Sequence, residues 1–205
     1  MSLIVSENET PKFEPIAEGT HLAVCNMLVD LGMQYSEKFG KSNRKVLIGW
    51  EIPDEVIEID GEKHGRSISK RYTASLNEKS SLRKDLASWR GRDFTAEELA
   101  AFDLNNIVGT SCLINVIHKE GTNGKIYANI GGIMKLPKGM PKAMPSEPAI
   151  VFDLDNDPLD SIDNLPDWIA EEIKRSSTYE ERAYAEIKPP IEDVLEEEDE
   201  TGLPF

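Results

Sequence analysis

Cationic and aromatic side chains alternate within one short stretch of the chain, and together they have the chemistry to hold a nucleic-acid strand. The stretch contains Tyr35, Lys38, Phe39, Lys41, Arg44 and Lys45. Ammonium and guanidinium groups neutralise phosphates, and flat rings stack on unpaired bases. A lone lysine is usually an ordinary solvated charge, so it is the clustering of these residues that favours a binding surface.

Four further residues are candidates for the same surface because of their places in predicted strands. They are Lys70 and Arg71, in a strand predicted over residues 67–76, and Lys125 and Tyr127, at a predicted hairpin. Side chains of a strand alternate between its two faces. Tyr127 alternates with apolar neighbours, so we expect its ring to point outward.

The same patterns assign three other aromatic residues to the core. Trp50 and Tyr72 share strand faces with apolar residues, and Trp89 continues a helical spacing with Leu82 and Leu86. Large aromatic residues mostly serve packing. Trp50 lies near the end of its predicted strand, where a bulge could turn it toward a ligand instead.

Residue patterns typical of catalysis or metal binding are scarce. The chain has no P-loop, no GxSxG and no HExxH sequence, and its three histidines are scattered. The run Asp153–Asp157 begins like a calcium loop, but Pro158 stands where glycine is needed and Asn164 where glutamate is needed. We therefore predict a non-enzymatic protein with no cofactor and no metal. Cys25 and Cys112 are isolated in strand-like segments and are expected to be reduced core residues.

Net charge divides the chain into two unequal parts. The whole chain has 23 Lys+Arg and 38 Asp+Glu, for a net charge of -15. Residues 1–142 contain 19 of each kind, so all of the net charge belongs to residues 143–205. Within the neutral part, residues 38–92 carry 13 basic and 8 acidic side chains. A locally basic body with an acidic end suggests a polyanion-binding domain whose tail can shield the same surface.

The last fifteen residues, 191–205, are predicted to be a disordered acidic tail with an apolar tip. The carboxylates of residues 196–200 repel one another and cannot be buried. The tip that follows, Leu203, Pro204 and Phe205, offers a ring and a terminal carboxylate that a partner could hold. The simpler reading is a frayed end that only aids solubility.

The elements that must position these residues are predicted as five strands and a helix. The strands are expected at 19–31, 44–52, 67–76, 110–119 and 125–136, with a helix at 80–90 and a short one at 95–102. Residues 32–43 are predicted to be a loop and 54–66 a turn region. The order β-β-β-α-β-β predicts an all-β protein with a minor α part, a five-stranded Greek-key barrel of the OB-fold. In that fold, a single-stranded nucleic acid lies across β-strands 2 and 3. It is flanked by the loop after β-strand 1 and by the loop joining β-strands 4 and 5.

The expected domain division has four parts. Residues 1–18 form an N-terminal arm, 19–140 the OB-fold, 141–190 a linker and 191–205 the tail. The linker contains a short amphipathic helix, predicted at 166–176, which either packs back on the barrel or serves partners. No apolar run approaches the roughly 20 residues of a membrane helix, and the N-terminus lacks the pattern of a signal peptide. We therefore expect a cytoplasmic protein with no membrane partner.

The predicted barrel, the acidic tail and the Leu203-Pro204-Phe205 end resemble bacterial single-stranded DNA-binding proteins, whose tail ends in Asp-Asp-Asp-Ile-Pro-Phe. Here the acids are mainly glutamates, and Thr201-Gly202 intervene. The segment 72–94, with Leu136-Pro-Lys-Gly139 downstream, is similar to a family of phage-encoded replication proteins with an OB-fold. That second resemblance covers roughly residues 19–140.

These resemblances imply a protein that coats single-stranded DNA during phage replication, recombination or repair in the bacterial host cytoplasm. They also imply that the tip recruits replication and recombination proteins and that residues 196–200 compete with DNA for the basic surface. A homo-oligomer is possible. The alternative is a protein-interaction adaptor or DNA-mimic inhibitor on an OB scaffold, which the net charge of -15 favours.

Overall fold

The structure, a computed structural model, describes residues 14–59 and 61–187 and is mostly β, with 41% strand and 25% helix. The side chains of Ile59, Glu62 and Ile187 are not described. The predominance of strand confirms the predicted fold class, β with a minor α part, in its coarse form. The elements are β1 Gly19–Ser36, β2 Lys41–Ile59, β3 Glu62–Thr73, α1 Ser81–Arg90, α2 Ala96–Ala100, β4 Ser111–Glu120, β5 Ile126–Lys135, β6 Ile150–Phe152, α3 Asp167–Lys174 and α4 Ser177–Ile187, with 3₁₀ turns at Leu104–Ile107 and Leu159–Asn164. None of the helices in these ranges is long and apolar enough to cross a membrane.

One sheet contains all six of these strands. Its order is β3-β2-β1-β4-β5 with antiparallel neighbours, and β6 adds to β1 in parallel. The long β1 serves two partners, since residues 19–24 pair with β4 and residues 24–36 pair with β2. At the two ends of the order, Cα atoms of β3 and β5 come within 8 Å of each other.

Two hairpins are longer than the sequence predicted. The expected loop at 32–43 is mostly strand, because β1 continues to Ser36 and β2 begins at Lys41. The expected turn region at 54–66 is a paired ribbon, in which β2 and β3 extend to Ile59 and Glu62 after a bulge following Ile52. Both ribbons are rich in polar residues, so they lack the alternation of apolar residues that marks a half-buried strand.

The inner face of the sheet carries the main core, in which the three aromatic predictions are confirmed. Trp50, Tyr72 and Trp89 are all buried. The rings of Trp50 and Trp89 lie 5.8 Å apart between centroids, and the Tyr72 hydroxyl donates to Asp85 at 2.8 Å. α1 covers this core with Leu82, Leu86 and Trp89, as its spacing predicted.

The cysteine prediction and the predicted starts of α1 and α2 are also confirmed. Cys25 and Cys112 are buried and free, and burial raises the pKa of the Cys25 thiol to about 12. Ser80 caps α1 by accepting from the backbone N–H of Arg83. Thr95 and Glu98 form the capping box that begins α2.

A second core covers the opposite face of β1 and β2, and here the sequence expectation is wrong. Alternation along β2 puts Leu47 and Glu51 on the face opposite Trp50, which the sequence predicts to be the outward one. They do lie on that side, but Leu47 is 0% and Glu51 3% exposed. The chain from 150 to 187 folds over Leu47 and contributes Phe152, Leu154, Ile162, Ile169 and Ile173 to this core. Glu51 instead accepts hydrogen bonds from the backbone N–H and the hydroxyl of Ser146. The helix predicted at 166–176 was expected either to pack back on the barrel or to serve partners, and here α3 packs on the sheet through Ile169 and Ile173.

Gly32 makes the close approach of this C-terminal segment possible. It lies at a register shift in β1 and has a φ of 69°, a left-handed conformation that glycine adopts readily. A Cβ there would lie 2.6 Å from the Ser176 Oγ and 2.7 Å from Leu154 Cδ2. Any larger residue would push the segment before α4 away from the sheet.

Candidate nucleic-acid interface

A surface cavity of about 460 Å³ opens beside the turn between β1 and β2, and we call it the hairpin cavity. The end of β1, the turn, the start of β2, the end of β3 and the loop leading to α1 form its walls. None of the described residues that line it is acidic, in a chain of net charge -15. The lining is Gln34, Tyr35, Ser36, Phe39, Lys41, Asn43, Lys45, Thr73, Ser75, Asn77, Lys79 and Ser80.

Strand pairing brings these residues together from distant parts of the chain. Tyr35 pairs with Ser42 across the β1–β2 hairpin, and Lys45 pairs with Thr73 across β2 and β3. The Lys45 Nζ donates to the Thr73 Oγ1 at 2.7 Å, which holds the ammonium at the cavity wall. Four of the predicted contacts, Tyr35, Phe39, Lys41 and Lys45, therefore share one site.

Tyr35 and Phe39 present free ring surface. Tyr35 is 66% exposed and Phe39 is 67% exposed. The neighbouring Lys38 is exposed in the turn, with its Nζ 5.6 Å from the centre of the Phe39 ring. Rings that are this exposed contribute little to the core, whereas a base could cover them.

Three of the predicted phosphate contacts already have carboxylate partners. Arg44 bonds to Asp30 and Asp155, and the hydrogen bonds that it donates to Asp30 are the main reason that its pKa is raised. The Lys70 Nζ lies 2.7 Å from a carboxylate oxygen of Asp85. A phosphate would have to compete with these carboxylates for the same donors.

The third of these cations, Arg71, donates two hydrogen bonds to Glu172 of α3, with Nε–Oε1 and Nη2–Oε2 distances of 2.8 and 2.6 Å. The sequence could place these cations on strands but could not show their partners. Glu172, in particular, is 101 residues away along the chain.

Lys125 and Tyr127 lie at a different surface, the turn between β4 and β5. Neither lines the hairpin cavity. The Tyr127 ring is 47% exposed, but its hydroxyl accepts from the Asn123 side chain at 2.8 Å. A Cβ on Gly121 would lie 2.6 Å from Cε2 of the Tyr127 ring. Tyr127 therefore stacks on its own turn. Lys125 is exposed beside it.

Lys79 is the cation that sequence reasoning missed. It is exposed in the loop between β3 and α1 and lines the hairpin cavity with Asn77. The Asn77 side chain accepts from the Lys79 backbone N–H at 3.2 Å, and Ser80 caps the helix immediately after it. Ser80 was the available signal in the sequence. As the cap of α1 it fixes where the loop ends, and so places Lys79 in the loop.

A cluster of three carboxylates, Asp30, Asp153 and Asp155, has the geometry to hold a cation. The Arg44 guanidinium already bonds to two of its members and supplies the positive charge. The carboxylate oxygens of Asp153 accept hydrogen bonds from the backbone N–H of Asp155 and from the side chain of Asn156. These contacts describe a hydrogen-bonded turn in the stretch that resembles the start of a calcium loop.

A larger cavity, of about 560 Å³, lies between the end of α1 and the end of β5, and we call it the α1–β5 cavity. Three lysines line it: Lys135, Lys138 and Lys142. Its aromatic residues are Trp89, which is buried, and Phe102, which packs against the core. This cavity can attract anions but presents no exposed ring among its described residues.

The three residues of the predicted partner-binding tip, Leu203, Pro204 and Phe205, lie outside the described residues. No protein-family model matches the chain, and no curated protein matches it either.

Proposed function

We propose that this protein binds single-stranded DNA in the hairpin cavity, without preference for sequence. The observation that carries the proposal is the meeting of two exposed rings, Tyr35 and Phe39, with Lys41, Lys45 and Lys79 at a site whose described lining has no carboxylate. The rings stack on bases and the ammonium groups neutralise the phosphates between them. Every base has a flat face, so this mode of binding tolerates any sequence.

The rings also favour single strands over duplexes. In a duplex the faces of the bases are stacked on one another, so a protein ring reaches them only after unstacking costs of a few kcal/mol per base. Lysines alone would bind both forms through the phosphates. Tyr35 and Phe39 are therefore the residues that distinguish the two substrates.

The arrangement of strands supports an OB-type barrel as the scaffold. β1 is shared between β2 and β4, the end strands β3 and β5 approach each other, and α1 lies between β3 and β4 in the chain. In that fold the loop after strand 1 flanks the bound strand, and here this loop carries Phe39. Because residues 150–187 cover Leu47, the path across β2 and β3 is confined to the end nearest the hairpin.

The acidic tail completes the proposal, on the strength of the sequence alone. Residues 196–200 compete with DNA for the lysines, and Leu203, Pro204 and Phe205 recruit other proteins of replication, recombination or repair. The resemblance to phage-encoded replication proteins supports a role on phage DNA in the cytoplasm of the bacterial host. Deleting residues 196–205 should leave the affinity for DNA equal or higher, and a large loss would contradict the competing tail.

Titration of the full chain with labelled oligo-dT, across a series of salt concentrations, tests the proposal. We expect tighter binding to oligo-dT than to duplex DNA of the same length, and an affinity that falls steeply with salt because phosphate contacts release counterions. Equal affinity for duplex and single strand would contradict stacking. Tight binding that ignores salt would contradict the lysine contacts.

A protein-interaction adaptor or DNA-mimic inhibitor is the second candidate, and the net charge of -15 favours it. Such a protein would bind no oligonucleotide and would hold its partner through the acidic residues 191–205. The titration separates the two functions, because only the DNA-binding protein gives a signal with oligo-dT alone.

A further inference from the structure

Arg71 lies between the sheet and α3 with one side of its guanidinium group occupied. Glu172 accepts from its Nε and Nη2, and the Arg71 Cζ lies 5.2 Å from the centre of the Trp168 ring. Its Nη1 has no hydrogen-bond partner within the described part of the chain. The Arg71 side chain is nonetheless half exposed, so solvent or a ligand can reach it.

The second core fixes α3 in this position. Ile169 and Ile173 are buried one helical turn apart beneath the helix. Trp168 precedes Ile169, and its ring stays 45% exposed instead of entering that core. The Gln34 side chain donates to the Glu172 carbonyl at 2.8 Å and ties the helix to β1.

The Arg71–Trp168 pair adjoins the hairpin cavity. Arg71 is two residues before Thr73 on β3, so the two side chains share one face. Thr73 and Gln34 both line the cavity, and Gln34 also contacts the α3 backbone. A strand that leaves the cavity past Thr73 meets Arg71 next and then the Trp168 ring.

We propose that the DNA path continues from the hairpin cavity onto α3, where Trp168 is a third stacking surface and Arg71 a further phosphate contact that Glu172 weakens. This inference rests on the proposed function and extends it to the C-terminal segment. An arriving phosphate meets the Glu172 carboxylate on the same guanidinium group, and like charges at this distance repel each other. Glu172 thus orients Arg71 and lowers the affinity of this end of the path.

Replacing Glu172 isolates the effect of its charge. Glu172→Gln keeps the size of the side chain, and Glu171→Gln removes the same charge from the neighbouring, exposed position, for which no contact to Arg71 is found in the described structure. We expect Glu172→Gln to bind oligo-dT about three- to five-fold more tightly than Glu171→Gln, within the range of an exposed ion pair. Equal affinities of the two variants would overturn the role given to Glu172.

Tryptophan fluorescence tests the stacking surface separately. Of the chain's three tryptophans, Trp50 and Trp89 are buried and Trp168 is exposed. We expect oligo-dT to quench tryptophan emission in the natural chain and Trp168→Phe to lose that quenching while still binding by anisotropy. Trp168→Ala should weaken binding by about five-fold or more.

Two outcomes of this experiment are distinguishable. Binding by anisotropy with no quenching in the natural chain, or the same quenching in Trp168→Phe, would overturn the inference and leave the proposed function standing. No binding of oligo-dT at all would overturn the proposed function and the inference together.

Discussion

The hairpin cavity and the α1–β5 cavity carry the same number of lysines and differ in their rings. Each is lined by three lysines, and neither has a carboxylate among its described lining residues. Tyr35 and Phe39 stand exposed in the first, whereas the second offers Trp89, which is buried, and Phe102, which packs against the core. Both cavities can attract a phosphate, but only the first can also hold a base.

This difference separates an electrostatic patch from the proposed nucleic-acid site. Lysines confer an attraction that depends on salt and is indifferent to strandedness, while exposed rings add the preference for unpaired bases. The exposure of the rings, together with their place beside lysines in a described lining without carboxylates, is therefore the feature on which the proposed function depends.

The largest expected effect comes from removing both exposed rings. Tyr35→Ala with Phe39→Ala should weaken oligo-dT binding by about 30-fold or more, since each stacked base contributes about 1–3 kcal/mol. Met140→Ala, which removes an exposed apolar side chain from the α1–β5 cavity, is the matched control and should change affinity by less than about two-fold. Anisotropy of a labelled oligonucleotide measures both. A similar loss in the two proteins would remove the distinction between the cavities.

A smaller effect is expected from the lysines, and it should be visible in the salt dependence. Lys41→Gln with Lys79→Gln should reduce the slope of log affinity against log salt by about 1.4, or about 0.7 for each phosphate contact. Lys138→Gln with Lys142→Gln removes the same charge from the α1–β5 cavity and should leave the slope unchanged. If the second pair lowers the slope as much as the first, the strand passes through both cavities.

Arg44 should matter for stability more than for DNA. Arg44→Gln leaves the partly buried Asp30 without its cationic partner, which should lower the free energy of unfolding by about 1–3 kcal/mol. Its affinity for oligo-dT should stay within about two-fold. Urea denaturation and anisotropy give the two values, and a DNA-binding loss with unchanged stability would return Arg44 to the set of phosphate contacts.

The smallest effect is expected at the β4–β5 turn. Tyr127→Phe removes the hydrogen bond between the ring hydroxyl and Asn123 and should lower the free energy of unfolding by about 1 kcal/mol or less. Lys125→Gln should leave the salt slope unchanged. A fall in oligo-dT affinity with either variant would extend the site to this turn, as the sequence alone suggested.

Local patterns in the sequence predicted the parts of the molecule that local forces determine. The spacing of Leu82, Leu86 and Trp89 fixed α1 and its buried face, and alternation along β2 placed Trp50 in the core. The basic stretch around Tyr35 and Phe39 marked both rings as candidates for stacking, and both are exposed. In each case the neighbours that decide the outcome are within a few residues along the chain.

Partners that are distant along the chain could not be predicted in this way. Leu47 points outward as alternation requires, yet it is buried because residues 150–187 return to cover it. The sequence could not show that Arg44 pairs with Asp155 and Arg71 with Glu172, because both acids lie in the same distant segment. Lys79 belongs to the site because the loop before α1 forms one wall of the hairpin cavity.

Photo-crosslinking locates the bound strand most directly. Oligo-dT in which single thymines are replaced by iodouracil is bound to the full chain and irradiated, and the crosslinked residues are identified by peptide mass spectrometry. We predict crosslinks at Tyr35 and Phe39. Crosslinks that spare both rings and fall instead on the lining of the α1–β5 cavity would contradict the claim that single-stranded DNA binds in the hairpin cavity.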